Sequence, residues 1–295
     1  NAVQRAGHGD IVETLDGRTY VVHLMGRPTG HYRRCVLGRE TAIQEAEWRG
    51  DGWLWVKNGP VPPLEVDVPG TRDDTAYWAE QRYGFEGGAL PKDFQWLRTP
   101  ETDRIFRIEA GRLVLIGRES IGSWFEQALV ARRVTHFSFD AEVTLDFAPS
   151  DERQFAGLTH YYSRYNFHYL TVTAHADGKR ELLMMSSPAT FPDGNLVYPA
   201  DPVPLPQEGP VRLKLEVRGS VLQFFYALGA GGNWQPVGGP LDASLISDEA
   251  GPHGEHGNFT GGFVGMACSD LNGTVAEALF SDFVYRPVRR ESDRY

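Results

Sequence analysis

The sequence predicts an all-β chain in which pieces of a radial β-architecture are followed by an antiparallel β-sandwich. Three observations carry this: two hairpin patterns near the start, a proline-rich connector after them, and a long series of short apolar runs punctuated by Gly, Asp and Pro without a convincing amphipathic helix. The 295 residues suffice for two ordinary domains.

Residues 11–14 and 19–24 flank the Asp16-Gly17 dipeptide, and Tyr20, Val22 and Leu24 alternate with Val21 and His23, which predicts a hairpin. Residues 41–48 and 53–56 flank Arg49-Gly50-Asp51-Gly52. The run "RETAIQEAEW" alone also suits a short helix, but the turn chemistry favours a second hairpin. Two hairpins leave unpaired edges that something must cover, so residues 1–60 predict an incomplete radial unit. The stretch "GPVPPLEVDVPG" lacks backbone donors at its prolines and predicts a linker over residues 61–81. From residue 82 to 295 the expected strands are 107–109, 113–116, 128–147 with a break, 167–174, 181–185, 211–217, 221–228, 262–268 and 278–285.

A net charge of -10 argues against nucleic acid and anionic membrane surfaces as partners and favours a neutral ligand. No apolar run is long enough to span a bilayer. Cys35 and Cys268 stand far apart without CxxC spacing, so reduced, buried thiols are expected, pointing to a cytoplasmic location with secretion as the alternative. The chain opens on Asn1 with a strand close behind, which predicts a removed leader or an upstream portion elsewhere.

Motifs for a nucleophile elbow, a phosphate loop, an HExxH zinc site and a dinucleotide turn are absent. His8 lies between two glycines in "AGHGDIVET", where imidazole and backbone can approach a ligand, water or metal; a hydrogen-bonded turn histidine is the alternative. Asp10 and Glu13 are carboxylates beside it, equally explained as a turn and a solvent-facing strand residue. In "CVLGRETAI", Arg39 can grip sugar hydroxyls or a carboxylate with its planar fork, while an Arg39–Glu40 surface pair is the plainer account. Trp53, Trp55, Tyr161, Tyr162, Tyr165, Phe167 and Tyr169 offer rings for sugar stacking, though core packing explains most of them more simply.

Taken together, "AGHGDIVET", "VVHLMGRP", "CVLGRETAIQEAEW", "GRES", "ALVARR", "FTGGFVGMAC" and "FSDFVY" resemble the C-terminal part of a family 43 glycoside hydrolase of the β-xylosidase type. The resemblance runs through both segments in order. It implies the C-terminal portion of a five-bladed β-propeller followed by a concanavalin- or lectin-like jelly roll. The implied activity is inverting release of xylose from the non-reducing end of xylo-oligosaccharides, with α-L-arabinofuranose as a further product. Arg39 then matches a sugar-contacting arginine, and Phe259 an aromatic that the sandwich sends across to close the pocket. His8 matches a histidine beneath the pocket that supports the catalytic carboxylates and in some relatives ligates a calcium ion; no cofactor is required. None of Asp10, Glu13 or Glu40 matches the general acid or base, so both are expected upstream, on an N-terminal propeller portion that becomes a partner of this chain. A homo-oligomer is expected as well. A carbohydrate-binding module and a purely structural half are the competing readings.

Overall fold

In the first hairpin, β1 (Gln4–Glu13) pairs antiparallel with β2 (Thr19–Gly26) from Glu13 opposite Thr19. The turn closes through the Gly17 amide onto the Thr14 carbonyl at 2.9 Å, with Gly17 in the left-handed region that glycine tolerates at no cost. A computed structural model describes residues 2–31, 33–70, 73–188, 195–250 and 258–293. β3 (Glu40–Trp48) continues the meander beside β2, and β4 (Leu54–Val56) closes it, giving a 4-stranded sheet in the order β1-β2-β3-β4. Turn chemistry therefore outweighed helical propensity in "RETAIQEAEW": the Gly52 amide bonds the Arg49 carbonyl, and Ala46 to Trp48 pair with Val56 to Leu54. This sheet is the propeller portion of the chain, and it is partial.

The first strand departs from expectation. It does not start after His8 but at Gln4, and His8 lies inside β1 within the register shift between Gly7 and Gly9, without a Cα partner on β2 and at φ 47°. A β-bulge of this kind turns one side chain away from the ladder. Gly9 packs closely, since a Cβ there would sit 3.1 Å from the His23 Cβ and the Val22 carbonyl; Gly7 faces open space.

The described residues between 57 and 80 contain no strand. The last of them dock on the sandwich: the Tyr77 hydroxyl donates to the Thr135 carbonyl, and its ring lies 4.1 Å from that of His136. The sandwich itself begins with β5 (Gln81–Tyr83), β6 (Phe94–Trp96), β7 (Phe106–Glu109), β8 (Arg112–Ile116), β9 (Ala128–Arg133), β10 (Ser138–Asp146), β11 (Gln154–Ser163) and β12 (Asn166–Ala174). It continues with β13 (Arg180–Pro188), β14 (Val203–Pro204), β15 (Val211–Arg218), β16 (Val221–Leu228), β17 (Gln235–Asp242), β18 (Phe263–Asp270) and β19 (Glu277–Pro287). One sheet runs β17-β16-β15-β10-β19-β8-β7 with β5 added against β19; the other runs β14-β13-β12-β11-β18-β9-β6. The only helical elements among the described residues are short 3-10 turns.

Period-two alternation sorts residues between core and solvent. On β10, Phe139, Ala141, Val143 and Leu145 enter the space between the sheets, while Asp140 and Glu142 point outward to Arg218 and Arg286. β12 is buried along its whole length, because the second sheet is also covered on its far side. There Tyr161, Phe167 and Tyr169 pack with Ile121, Leu129 and Met185 in a second apolar cluster.

Candidate functional site

The propeller portion meets the sandwich where residues 35–39 run against Asp248 and residues 259–262. Gly38 and Gly261 make the approach possible. Both have φ of 70°, and a Cβ on Gly38 would lie 2.2 Å from the Gly261 nitrogen. Backbone hydrogen bonds stitch the two segments: the Arg39 amide to the Phe259 carbonyl at 2.9 Å, the Gly262 amide to Val36 at 2.9 Å, and the Asp248 amide to Cys35 at 3.3 Å. Arg133, at the end of β9, adds its Nη2, donating to the carbonyls of both Leu37 and Arg39 at 2.9 Å.

Within this seam the Arg39 side chain reaches across to the sandwich. Its Nη1 donates to Asp248 Oδ2 at 2.5 Å, and its guanidinium lies over the Phe259 ring, 5.2 Å from the centroid, within cation–π range. The Asp248 side chain is only 2% exposed. Its other oxygen accepts from the Gly261 amide and the Tyr162 hydroxyl, each at 3.0 Å. Burial pushes this carboxyl upward, while the Gly261, Tyr162 and Arg39 donors favour its anion. Burial and the neighbouring Asp248 charge hold the Tyr162 phenol well above its usual range, so it remains a donor. Phe259 is 57% exposed and Arg39 partly so, which leaves an open cationic-aromatic face beside the seam. Among the described residues Arg39 Nε and Nη2 have no partner, so one edge of the fork can meet a ligand hydroxyl.

Sequence reasoning named Arg39 and Phe259 separately, and the fold brings them into contact. The Arg39–Glu40 pair does not form: Glu40 is held by Arg27, with Arg27 Nη2 at 2.6 Å and Nε at 2.9 Å from its two carboxylate oxygens. His8 sits toward the same end of the 4-stranded sheet, one strand beyond Leu24, whose partner on β3 is Thr41. It is exposed and forms no hydrogen bond or ion pair with Arg39 or Phe259. Among the described residues no group of three or more His, Cys, Asp or Glu side chains is arranged to hold a metal ion, so His8 has no companions for a calcium site among them. Asp10 and Glu13 are exposed on β1. Cys35 and Cys268 are both buried; burial, reinforced by Glu249, pushes the Cys35 thiol up to about 12, so it is no nucleophile at neutral pH.

The aromatic rings divide cleanly. Tyr161, Tyr165, Phe167 and Tyr169 are buried and unavailable to a polysaccharide, whereas Trp53 and Trp55 are exposed on the outer hairpin, with Arg49 over the Trp55 ring. Asp248 and Tyr162 were the site residues that sequence reasoning missed or misassigned. "LISDEAG" carries no spacing signal, and Tyr162 gains its role only because the β11 terminus faces residue 248.

A family model described as "Beta xylosidase C-terminal Concanavalin A-like domain" matches residues 82–286, and one described as "Glycosyl hydrolases family 43" matches residues 1–54. The chain belongs to glycoside hydrolase family 43. Its matched segments fall on the sandwich and on the 4-stranded sheet, so the seam at Arg39 joins the two family modules. It is 68% identical to the "Xylosidase/arabinosidase 43B" of Humicola insolens, over 100% of this chain and 55% of that protein. It is 34% identical to the "Putative beta-xylosidase" of Escherichia coli (strain K12), over 98% of this chain and 55% of that protein. The crystal structure of xylan beta-1,4-xylosidase from Bacillus halodurans C-125 superposes with a TM-score of 0.83 at 34% identity, covering 97% of this chain and 54% of that one. The chain spans about half the length of the curated relatives it matches.

Proposed function

We propose that this chain forms the C-terminal part of an exo-acting, inverting β-xylosidase that removes xylose from the non-reducing end of xylo-oligosaccharides, with α-L-arabinofuranosides as a second substrate class. The observation that carries the reading is the partly exposed Arg39 guanidinium, fixed by a buried carboxylate and laid over an exposed phenyl ring at the seam between the two modules. A free N–H edge suits a sugar hydroxyl, and an exposed ring suits its apolar face. The names of the relatives, xylosidase/arabinosidase and β-xylosidase, support the same substrate class.

In this reading the general acid and general base belong to the N-terminal propeller portion that partners this chain. Inversion needs them about 6.5–9.5 Å apart, one protonating the leaving oxygen and the other activating water on the opposite face. Glu40 is engaged by Arg27, and Asp10 and Glu13 lie exposed on β1, so none of the three is assigned either role. This chain supplies binding and enclosure: Arg39 fixes the terminal sugar, Phe259 walls the pocket against longer or branched chains, and His8 supports the upstream carboxylates. Calcium at His8 would require donors from that upstream portion.

The test is hydrolysis of an aryl β-xyloside and of xylotriose by the intact enzyme, followed by NMR. The expected result is α-xylose as the first product and shortening from one end only. No hydrolysis of either substrate contradicts the reading, and β-xylose as first product contradicts inversion.

A further inference from the structure

We propose that Asp248 is a positioning residue: it belongs to the sandwich, touches no substrate, and sets the direction of the Arg39 guanidinium across the seam. The proposal rests on the reading of Arg39 as a sugar-binding residue.

The two oxygens of Asp248 have divided partners. Oδ1 accepts from the Gly261 amide and the Tyr162 hydroxyl, both contributed by the sandwich, at 3.0 Å each. Oδ2 faces Arg39 Nη1 at 2.5 Å. Two donors on Oδ1 and a backbone bond from the Asp248 amide to Cys35 fix the orientation of the carboxylate before Arg39 is considered. The side chain is almost wholly withdrawn from water, so a single charge-assisted bond there is stronger and more directional than on a surface.

An arginine side chain has four rotatable bonds, and losing that freedom is part of the cost of any contact it makes. Here the cost is met inside the folded protein. The Arg39 backbone is pinned at both ends, its amide to Phe259 and its carbonyl to Arg133, and among the described residues Asp248 is the one acidic partner of its head group. Nη1 is held by Asp248, which leaves Nε and Nη2 without a partner among the described residues while the guanidinium lies over the Phe259 ring. Preorganisation of this type raises affinity without any contact between the organising residue and the ligand. The sandwich thus contributes through the orientation of a propeller residue as well as through Phe259.

A second ion pair crosses the same seam and provides a control. Arg5 Nη2 meets Glu249 Oε1 at 2.8 Å, with Arg5 on β1 and Glu249 next to Asp248. It ties the modules together without involving Arg39.

The experiment is a double-mutant cycle in the intact enzyme, read as kcat/KM on an aryl β-xyloside and as the inhibition constant of xylose. Asp248→Asn is expected to lower kcat/KM about tenfold and to weaken xylose binding about tenfold. Arg39→Ala is expected to lose more, and the double variant no more than Arg39→Ala alone. Glu249→Gln should leave both values within about twofold of the parent. Losses that multiply in the double variant, or an Asp248→Asn enzyme with unchanged xylose inhibition, overturn the proposal while leaving the β-xylosidase reading intact. A parent enzyme that hydrolyses no xyloside overturns that reading and the proposal with it. Where Asp248→Asn does not fold, Tyr162→Phe frees one side of the carboxylate; a two- to threefold loss that disappears in the Arg39→Ala background is expected, and its persistence there counts against the proposal.

Discussion

Arg39 owes its candidate role to its neighbours rather than to its residue type. An isolated surface Arg–Glu pair contributes little, whereas Arg39 is paired with a carboxylate that is 2% exposed and lies over a phenyl ring. Arg39→Ala is expected to raise the activation free energy by roughly 1.5–3 kcal/mol, the range for a charged hydrogen bond inside a pocket. Phe259→Ala should leave folding intact, since the ring is exposed, and should relax the preference for short substrates. Comparing kcat/KM for xylobiose and xylohexaose checks this, and an identical ratio in mutant and parent removes Phe259 from the site. Gly38 and Gly261 are the reverse case, positions where function is indirect and geometry strict. A Cβ on either one meets backbone atoms of the opposing segment at 2.2–2.4 Å. Gly261→Ala is therefore expected to destabilise the protein by about 3 kcal/mol or more, combining left-handed strain with overpacking. A denaturation midpoint equal to that of the parent would contradict the close packing of the seam.

At the scale of elements, turn dipeptides and period-two alternation made most strands legible. Asp16-Gly17 and Arg49-Gly50-Asp51-Gly52 located both hairpins, and β10, β15, β16 and β19 follow their apolar runs. β11 escaped detection because Gly157 and the polar Thr159 and His160 interrupt its pattern, yet it is a central strand. Gly157 is there because a Cβ would fall 1.9 Å from the Leu170 carbonyl on β12, and Thr159 donates to His168. β17, with two glycines and two prolines in "QPVGGPLD", has no apolar run to mark it but lies at a sheet edge, where such residues are tolerated. Buried histidines give these elements a pH dependence. Burial lowers His136 to about 4 and His160 to about 3, against an ordinary 6.5. Between those values the unfolded chain binds protons that the folded chain excludes. Stability is therefore complete above pH 6.5 and falls as pH drops towards 4, by up to about 1.4 kcal/mol per pH unit for each histidine. Urea midpoints at pH 7 and pH 5 check the sign; a higher midpoint at pH 5 would contradict it.

At the scale of the whole molecule, the seam is what the amino-acid order hides. Arg39 and Asp248 are separated by more than two hundred residues, and no local pattern in "LISDEAG" announces a partner for "LGRETAI". The fold class and the family were legible because they rest on local turns and on motifs quoted in order; of the side chains that meet at the seam, the sequence singled out Arg39 and Phe259 but not Asp248. His8 shows the limit from the other side. Its flanking glycines drew attention, but the bulge that exposes it faces no partner among the described residues, and its proposed support of catalytic carboxylates depends on the N-terminal propeller portion. Self-association of the intact enzyme is a separate proposal that sedimentation checks; a monomer at all accessible concentrations would refute it. The most direct test of the central claim, that the seam forms part of a xylose-binding pocket, is kcat/KM for an aryl β-xyloside in the intact parent enzyme and in Arg39→Ala. A loss of roughly 10- to 150-fold in a variant that still folds is predicted; equal values in the two proteins would contradict it.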